Sequence, residues 1–307
     1  MFLVSLYECE DDEMTALQKS KLKRNLFIFC FICIPVGLML IFTYYPAAKL
    51  LMYSFTNYDG LSKKMDFVGL MNWKQLLGDA ASWKTLGNCV YYIVGGLIQN
   101  ALALLLAIIL NNDRIKGKNI FRGLVFLPFV INGTAVSYMF RYLYDFTKGP
   151  LNLLAQTLGF EAVSWLGNEK LVNWSLAFVC LWRYTGYLMI IYLAALQSVP
   201  KEYYEASMID GCNSFGRLRY ITLPQISSVL KLQMFLNISG AVNIFDIPFV
   251  MTGGGPVNAS ETLAMRANEY AFSFKNYGMA SAYGVFCTVM IVILYVTQNK
   301  ILYREEN

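Results

Sequence analysis

The sequence predicts an all-α protein that crosses a membrane six times, and three observations carry that prediction. Of its 307 residues, 57% are hydrophobic and 15% charged, against about a quarter charged in a soluble domain. Six apolar stretches approach the roughly 20 residues a helix needs to span hydrocarbon. The lysines and arginines gather in alternate connecting segments, as the positive-inside rule requires of a membrane protein.

The first span is expected over residues 26–46. It follows KSKLKRN, which looks like the basic start of a secretory signal. The apolar run is too long for such a signal, and Tyr44-Tyr45-Pro46 is no small-residue cleavage site, so the span is read as retained. Residues 1–25 are then a cytoplasmic N-terminal segment, and 26–307 form one six-span transmembrane domain. The 47–85 loop carries Trp73 and Trp83 as interfacial anchors. The second span is expected over 86–110 and the third over 120–143. Between them lies NNDRIKGKN, a short loop dense in positive charge and therefore cytoplasmic. A loop with Gly149-Pro150 and Trp165 leads to the fourth span, 172–196. The fifth and sixth follow over 227–251 and 277–299. With the N-terminus inside, 14 of the 25 basic residues fall inside, ten outside and Arg183 within the fourth span. Both termini and the polar 204–226 segment are then cytoplasmic.

Composition also excludes functions. The chain has no histidine, which removes His-based acid–base catalysis, Ser-His-Asp triads and nearly all zinc-hydrolase patterns. Five of the seven cysteines lie in apolar runs, where a thiol behaves as a small hydrophobe. The Cys30-x-x-Cys33 pair has no polar neighbour to support redox or metal chemistry. No metal site is expected. The net charge of +5 records topology, so nucleic acid is not an expected partner and the lipid bilayer is.

The polar stretch YEASMIDGCNSFGRLRYITLPQI, residues 204–226, is the conspicuous exception to the apolar pattern. Helix formers begin just after Pro200. Asp210-Gly211 signals a turn with a positive φ at the glycine. Asn213 or Ser214 starts a second short helix, and Pro224 ends it and opens the next span. Two short helices bent at a glycine form a docking element. Its first helix bears Glu202, Glu205 and Asp210, a charge balance that suits a protein better than an anionic bilayer surface.

These residues resemble the cytoplasmic loop of ATP-binding-cassette importer permeases, whose pattern is E-A-A, then Gly, then I-x-L-P. Here Glu205-Ala206-Ser207 stands for E-A-A, Asp210 and Gly211 follow, and Ile221-Thr222-Leu223-Pro224 closes the motif. The resemblance implies that this 202–224 coupling loop fits a cleft on a separate ATPase. No Walker pattern occurs in the chain, so ATP and magnesium would be bound by that ATPase and this chain would hold no cofactor and perform no catalysis.

A second element, NIFDIPFVMTGGGPVNASETL over 243–263, resembles the F-D…T-x-G-G-P…T-L element of maltose-type sugar permeases, and of the first permease of the pair. That resemblance runs from about residue 26 to the end. It implies a bacterial or archaeal plasma membrane protein that pairs with a second homologous permease. Two ATPase subunits would dock below and an extracellular solute-binding protein would deliver sugar above.

Polar residues inside spans are costly and each needs a partner or a role. The substrate-path candidates are Asn132, Tyr138, Arg183, Asn237, Asn243, Phe245 and Asp246, with Gln99 and Asn100 as further intramembrane polar groups. Arg183 calls for a buried acidic or carbonyl partner, and Asp246 is one such partner. Asn243 and Asp246 are three apart and share a helical face, whereas Asn237 and Asn243, six apart, do not on a straight helix. Pro248 is expected to kink or end the fifth span. A non-sugar permease, or a receptor or channel subunit, remains as an alternative at this stage.

Overall fold

The fold is given by a computed structural model that describes residues 20–303 apart from Leu22, Leu26, Lys63 and Asp113. Most of the expected N-terminal segment 1–25 lies outside the described residues. The chain divides into two compact units, Met1–Tyr53 and Ser54–Asn307.

Among its described residues the first unit holds α1 (Lys23–Tyr53), with a π-helical turn at Leu40–Tyr44. Its apolar side chains, Phe27, Phe31, Ile34 and Phe42 among them, are exposed. A helix that is apolar all round has the length and composition of a membrane span.

The second unit is a helical bundle. It begins with α2 (Met71–Gly78) and α3 (Ala80–Leu110), then α4 (Lys118–Val130), α5 (Gly133–Leu143), α6 (Pro150–Thr157) and α7 (Val172–Gln197). Two short helices follow, α8 (Lys201–Ile209) and α9 (Ser214–Arg217), the latter running through a π-helical turn to a last turn at Leu223–Gln225. The chain ends with α10 (Ser227–Val242), α11 (Asp246–Thr252), α12 (Leu263–Asn268) and α13 (Tyr277–Tyr303). Among the described residues the only β-type pairing outside the helices is a bridge between Thr56 and Phe67.

Among the described residues five helices are long and apolar enough to cross a membrane, counting α10 and α11 as one, and a sixth crossing exists if α4 and α5 count as one. That proviso corrects the expected continuous third span. The chain bends by 96° between Val130 and Gly133. Ile131 and Asn132 are extended, and the Asn132 side chain accepts a hydrogen bond from the Thr134 amide at 2.9 Å. An asparagine in this position starts a new helix. Pro128 has already removed a hydrogen-bond donor from the last turn of α4.

The fifth span is found over Ser227–Thr252, but its break comes before the proline where it was expected: the helix ends at Val242 and restarts at Asp246. Pro248 lies in the first turn of α11, where its missing N–H is not needed.

Small residues allow the closest approaches. Gly95 of α3 faces Ala177 of α7, where an added Cβ would lie 3.2 Å from the alanine Cβ. Gly186 of α7 lies against the Val125 carbonyl and Phe126 of α4. Such contacts are the main cohesion of helices in lipid, where burial against a neighbour gains little over burial in acyl chains.

Polar side chains tie the loops at one end of the bundle. Asn173 donates to Asn88 at 3.2 Å and to the Ala259 carbonyl at 2.8 Å, and Asn88 donates to the Glu261 carbonyl at 2.9 Å. Asn152 of α6 is fully buried. It donates to the carbonyls of Phe146 and Val163 and accepts from the Val163 amide and the Trp165 indole. Asn152→Ala leaves those groups unsatisfied and is expected to cost about 2–3 kcal/mol. The loss is read as a lower unfolding temperature of the detergent-solubilised protein. An unchanged temperature would show that water replaces the amide freely.

Candidate functional site: a cavity between spans and a two-helix elbow

A cavity of about 520 Å³ lies among α3, α7, α10 and the α10–α11 break. Gln99 and Asn100 reach it from α3, Cys180, Tyr184 and Tyr187 from α7, and Gln233 and Asn237 from α10. Asn243, Phe245 and Asp246 reach it from the break. The wall therefore sets amides, aromatic rings and one carboxylate among aliphatic side chains such as Leu188, Leu236 and Ile244.

The break makes this possible. On a continuous helix, Asn237 and Asn243 would point apart. Ending α10 at Val242 frees Asn243 and Phe245 to turn inward, and both line the cavity with Asn237. Asn237 also needs Gly96 opposite it, because a Cβ there would overlap its amide.

Arg183 finds the expected partner. Its Nη1 lies 3.1 Å from Asp246 Oδ2, and the same nitrogen donates to the Tyr184 hydroxyl at 3.1 Å. The guanidinium carbon sits 4.9 Å from the Tyr184 ring centre, close enough for a cation–π contact. Arg183 is 13% exposed and Asp246 47%, so the carboxylate faces the cavity and the arginine stands behind it. Gly133, the first residue of α5, leaves room for the pair: a Cβ there would approach both charged groups at 2.5–2.6 Å.

Besides Arg183, which stands behind Asp246 and does not itself line the cavity, two candidates are placed elsewhere. Asn132 caps α5, and Tyr138 is exposed on that helix; neither lines the cavity. Gln233 and Gly240 were not singled out in the sequence, although Gln233 stands four residues before Asn237 on the same helical face. That spacing was the signal that marks it.

The 202–224 segment forms an elbow. At its bend the Cys212 amide bonds the Ser207 carbonyl at 2.9 Å and the Gly211 amide bonds that of Met208 at 3.1 Å. Those two bonds, with Gly211 at φ +75°, make a Schellman motif. Asn213 caps α9 through the Gly216 amide at 2.7 Å. Glu205, Ala206, Asp210, Gly211 and Pro224 are exposed, Ile221 and Leu223 half-buried, and Ser207 buried with its hydroxyl on the Tyr204 carbonyl. Ile209, Phe215 and Tyr220 are 74–86% exposed, leaving a rim of large apolar side chains around the bend.

A third polar group lies at the start of α3. Arg266 bonds Asp79 at 2.7 Å and Glu261 at 3.5 Å. Burial raises the Asp79 pKa, but the Ala81 amide and Arg266 outweigh it and hold the carboxyl below its usual range. Burial pushes Glu261 up despite the arginine. This cluster fastens α12 to α3 and is structural.

The family profile of the binding-protein-dependent transport system inner membrane component matches residues 99–304. The multiple sugar-binding transport system permease protein MsmF of Streptococcus mutans is 33% identical over 279 residues, 90% of this chain and 95% of its own. The lactose transport system permease protein LacF of Rhizobium radiobacter is 31% identical over 293 residues, covering 93% and 97%. A chain from the crystal structure of a bacterial alginate ABC transporter, in complex with its alginate pentasaccharide-bound periplasmic protein, superposes with a TM-score of 0.80. That match covers 93% of this chain and 96% of the other at 19% identity, and it speaks for the fold alone. On the extent of the profile and the identity of these relatives, the chain belongs to the family of binding-protein-dependent transport system inner membrane components and is a permease.

Proposed function

We propose that this chain is the pore-forming permease subunit of an ATP-driven carbohydrate importer and performs no catalysis itself. A second homologous permease completes the pore, two ATPase subunits bind ATP and magnesium and dock on the 202–224 elbow, and an extracellular solute-binding protein delivers the sugar. Both termini and the elbow lie in the cytoplasm, as the basic NNDRIKGKN loop suggests.

The observation that carries this reading is the link between elbow and cavity. Tyr204 of α8 and Ile226 before α10 belong to one apolar cluster with Leu188, Tyr192 and Leu196 of α7. The Tyr204 hydroxyl also meets Thr222 at 3.2 Å. A push on the elbow is therefore delivered to α7 and α10, the helices that wall the cavity. Close-packed clusters transmit such displacements because they do not compress. The carbohydrate class is supported by the sugar permeases named above and by the wall itself. Amides hydrogen-bond hydroxyls, and Tyr184 and Phe245 offer faces to a sugar's C–H surface.

The test is purification of the tagged chain in mild detergent. An ATPase and a second permease are expected to accompany it, and proteoliposomes of that complex with its binding protein are expected to take up an oligosaccharide. A chain that emerges alone, or a complex that transports only amino acids or peptides, would overturn the reading.

A further inference from the structure

Among the described residues that line the cavity, Asp246 alone is charged. Its charge is met by one group, the Arg183 guanidinium 3.1 Å away. All other polar lining comes from neutral amides, hydroxyls and a thiol. The wall thus shows the cavity one negative charge, and the guanidinium that stands behind it cancels that charge.

We infer that Asp246 is a charge-selecting residue: by cancelling Arg183 it keeps this chain's part of the pathway neutral, so that uncharged solutes enter it and acidic ones are excluded. The inference rests on reading the cavity as the solute's path.

Three features make the cancellation specific to Asp246. Arg183 is mostly covered and its Nε has no hydrogen-bond partner, so it depends on few groups. Its other side-chain contact, Tyr184, supplies a neutral hydroxyl and a ring face, which leave the positive charge in place. Asp246 stands at the restart of the helix, backed by the α10–α11 break, and is half-exposed toward the cavity. Without the carboxylate, a guanidinium in a low-dielectric wall would turn a free N–H edge to the cavity. Such an edge binds carboxylates through strong charge-assisted bonds. The pathway would then favour uronates or other organic acids of similar size.

The wall supplies its own reporter. Cys180 lines the cavity as a free thiol and lies three residues before Arg183 on α7. In the full chain, with its other cysteines replaced by alanine and assembled with the subunits that co-purify with it, Cys180 is treated with three methanethiosulfonates. One is anionic (sulfonatoethyl), one cationic (trimethylammonioethyl) and one neutral (hydroxyethyl). These are themselves small solutes that must enter the cavity, and the neutral reagent normalises each variant for access.

With Asp246 intact, the normalised anionic and cationic rates are expected to be similar. Asp246→Asn is expected to raise the anionic-to-cationic ratio on the order of tenfold, the effect of one unscreened charge at this range. Arg183→Gln is expected to lower it by a similar factor, and the double variant to return it to the starting value. The opposite signs separate charge from distortion, because a collapsed cavity slows all three reagents together. A ratio unmoved by either single change, or moved the same way by both, overturns the inference. An unmoved ratio in a complex that imports oligosaccharide defeats the charge balance alone. A shifted ratio in a complex that imports no carbohydrate defeats the proposed substrate class and leaves the charge balance standing.

Discussion

Gly186→Val is expected to abolish accumulation of this protein in the membrane. A Cβ at Gly186 would overlap the backbone carbonyl oxygen of Val125 and come within 2.7 Å of the Phe126 Cα. Both are main-chain atoms of α4, so no side-chain rotation relieves the overlap. Either α4 moves off α7, or the chain does not pack. Overpacking of a well-filled interface costs about 1–3 kcal/mol when side chains can yield, and here they cannot. Separation would also open the contact among Val125, Leu188 and Met189 that forms part of the apolar cluster. Alanine carries the same Cβ and is expected to fail as well, with less residual protein than Gly95→Ala, whose Cβ meets only another Cβ at 3.2 Å. Gly240→Ala is the control. Nothing lies within 4 Å of its Cβ, and removing a helical glycine favours the helix by roughly 0.5–1 kcal/mol. Fluorescence-detected size-exclusion of a fusion protein ranks the four variants. Full recovery of Gly186→Val would show that α4 and α7 are not held as described.

Gly211→Leu is expected to do the opposite: to leave the folded permease in place and remove ATP-driven uptake. The left-handed backbone at φ +75° costs an L-residue about 1–2 kcal/mol, which is tolerable at an exposed bend. No atom lies within 4 Å of the added Cβ, so the chain itself does not obstruct the side chain. What the leucine meets is whatever docks on the elbow, between the exposed Ile209 and Phe215. Uptake in proteoliposomes is expected to fall at least about tenfold, the factor that a docking loss of ~1.4 kcal/mol produces. Gly211→Asn separates strain from obstruction. Asparagine accepts the left-handed region and is smaller, so it is expected to retain most uptake. Normal uptake by the leucine variant would defeat the docking role of the 202–224 segment.

The sequence made some of this legible and hid the rest for physical reasons. Span positions were readable because the length of an apolar run is set by the bilayer. The Arg183–Asp246 pair was readable because a lone charge among apolar neighbours must find an opposite one. The Gly211 elbow was readable because a positive φ, a cap at Asn213 and a proline at 224 are local chemistry. The break at Ile131–Asn132 escaped a reading by hydrophobic length, which is blind to caps, although Pro128 and Asn132-Gly133 were its local marks. Face arguments also failed across the α10–α11 break. Three-residue spacing put Asn243 and Asp246 on one helix, yet the helix ends before Asn243, and both reach the cavity because it ends. The ties of Arg266 to Asp79 and of Asn173 to Asn88 join residues 187 and 85 positions apart, a separation that local pattern does not bridge.

The 96° bend between α4 and α5 sets a condition on the surrounding lipid. The 13 residues of α4 rise about 20 Å, short of the ~30 Å hydrocarbon core. A crossing made by this pair therefore turns sideways before it reaches the far interface. The turn leaves the last carbonyls of α4 and the first amides of α5, apart from that of Thr134 on the Asn132 side chain, outside either helical ladder, and hydrocarbon offers them no partner. Lipid must thin toward the turn, or water must follow it inward, and either deformation is easier in a thin bilayer than in a thick one. Acyl-chain length is thus a variable of this permease's stability in its own right, independent of solute and of ATP.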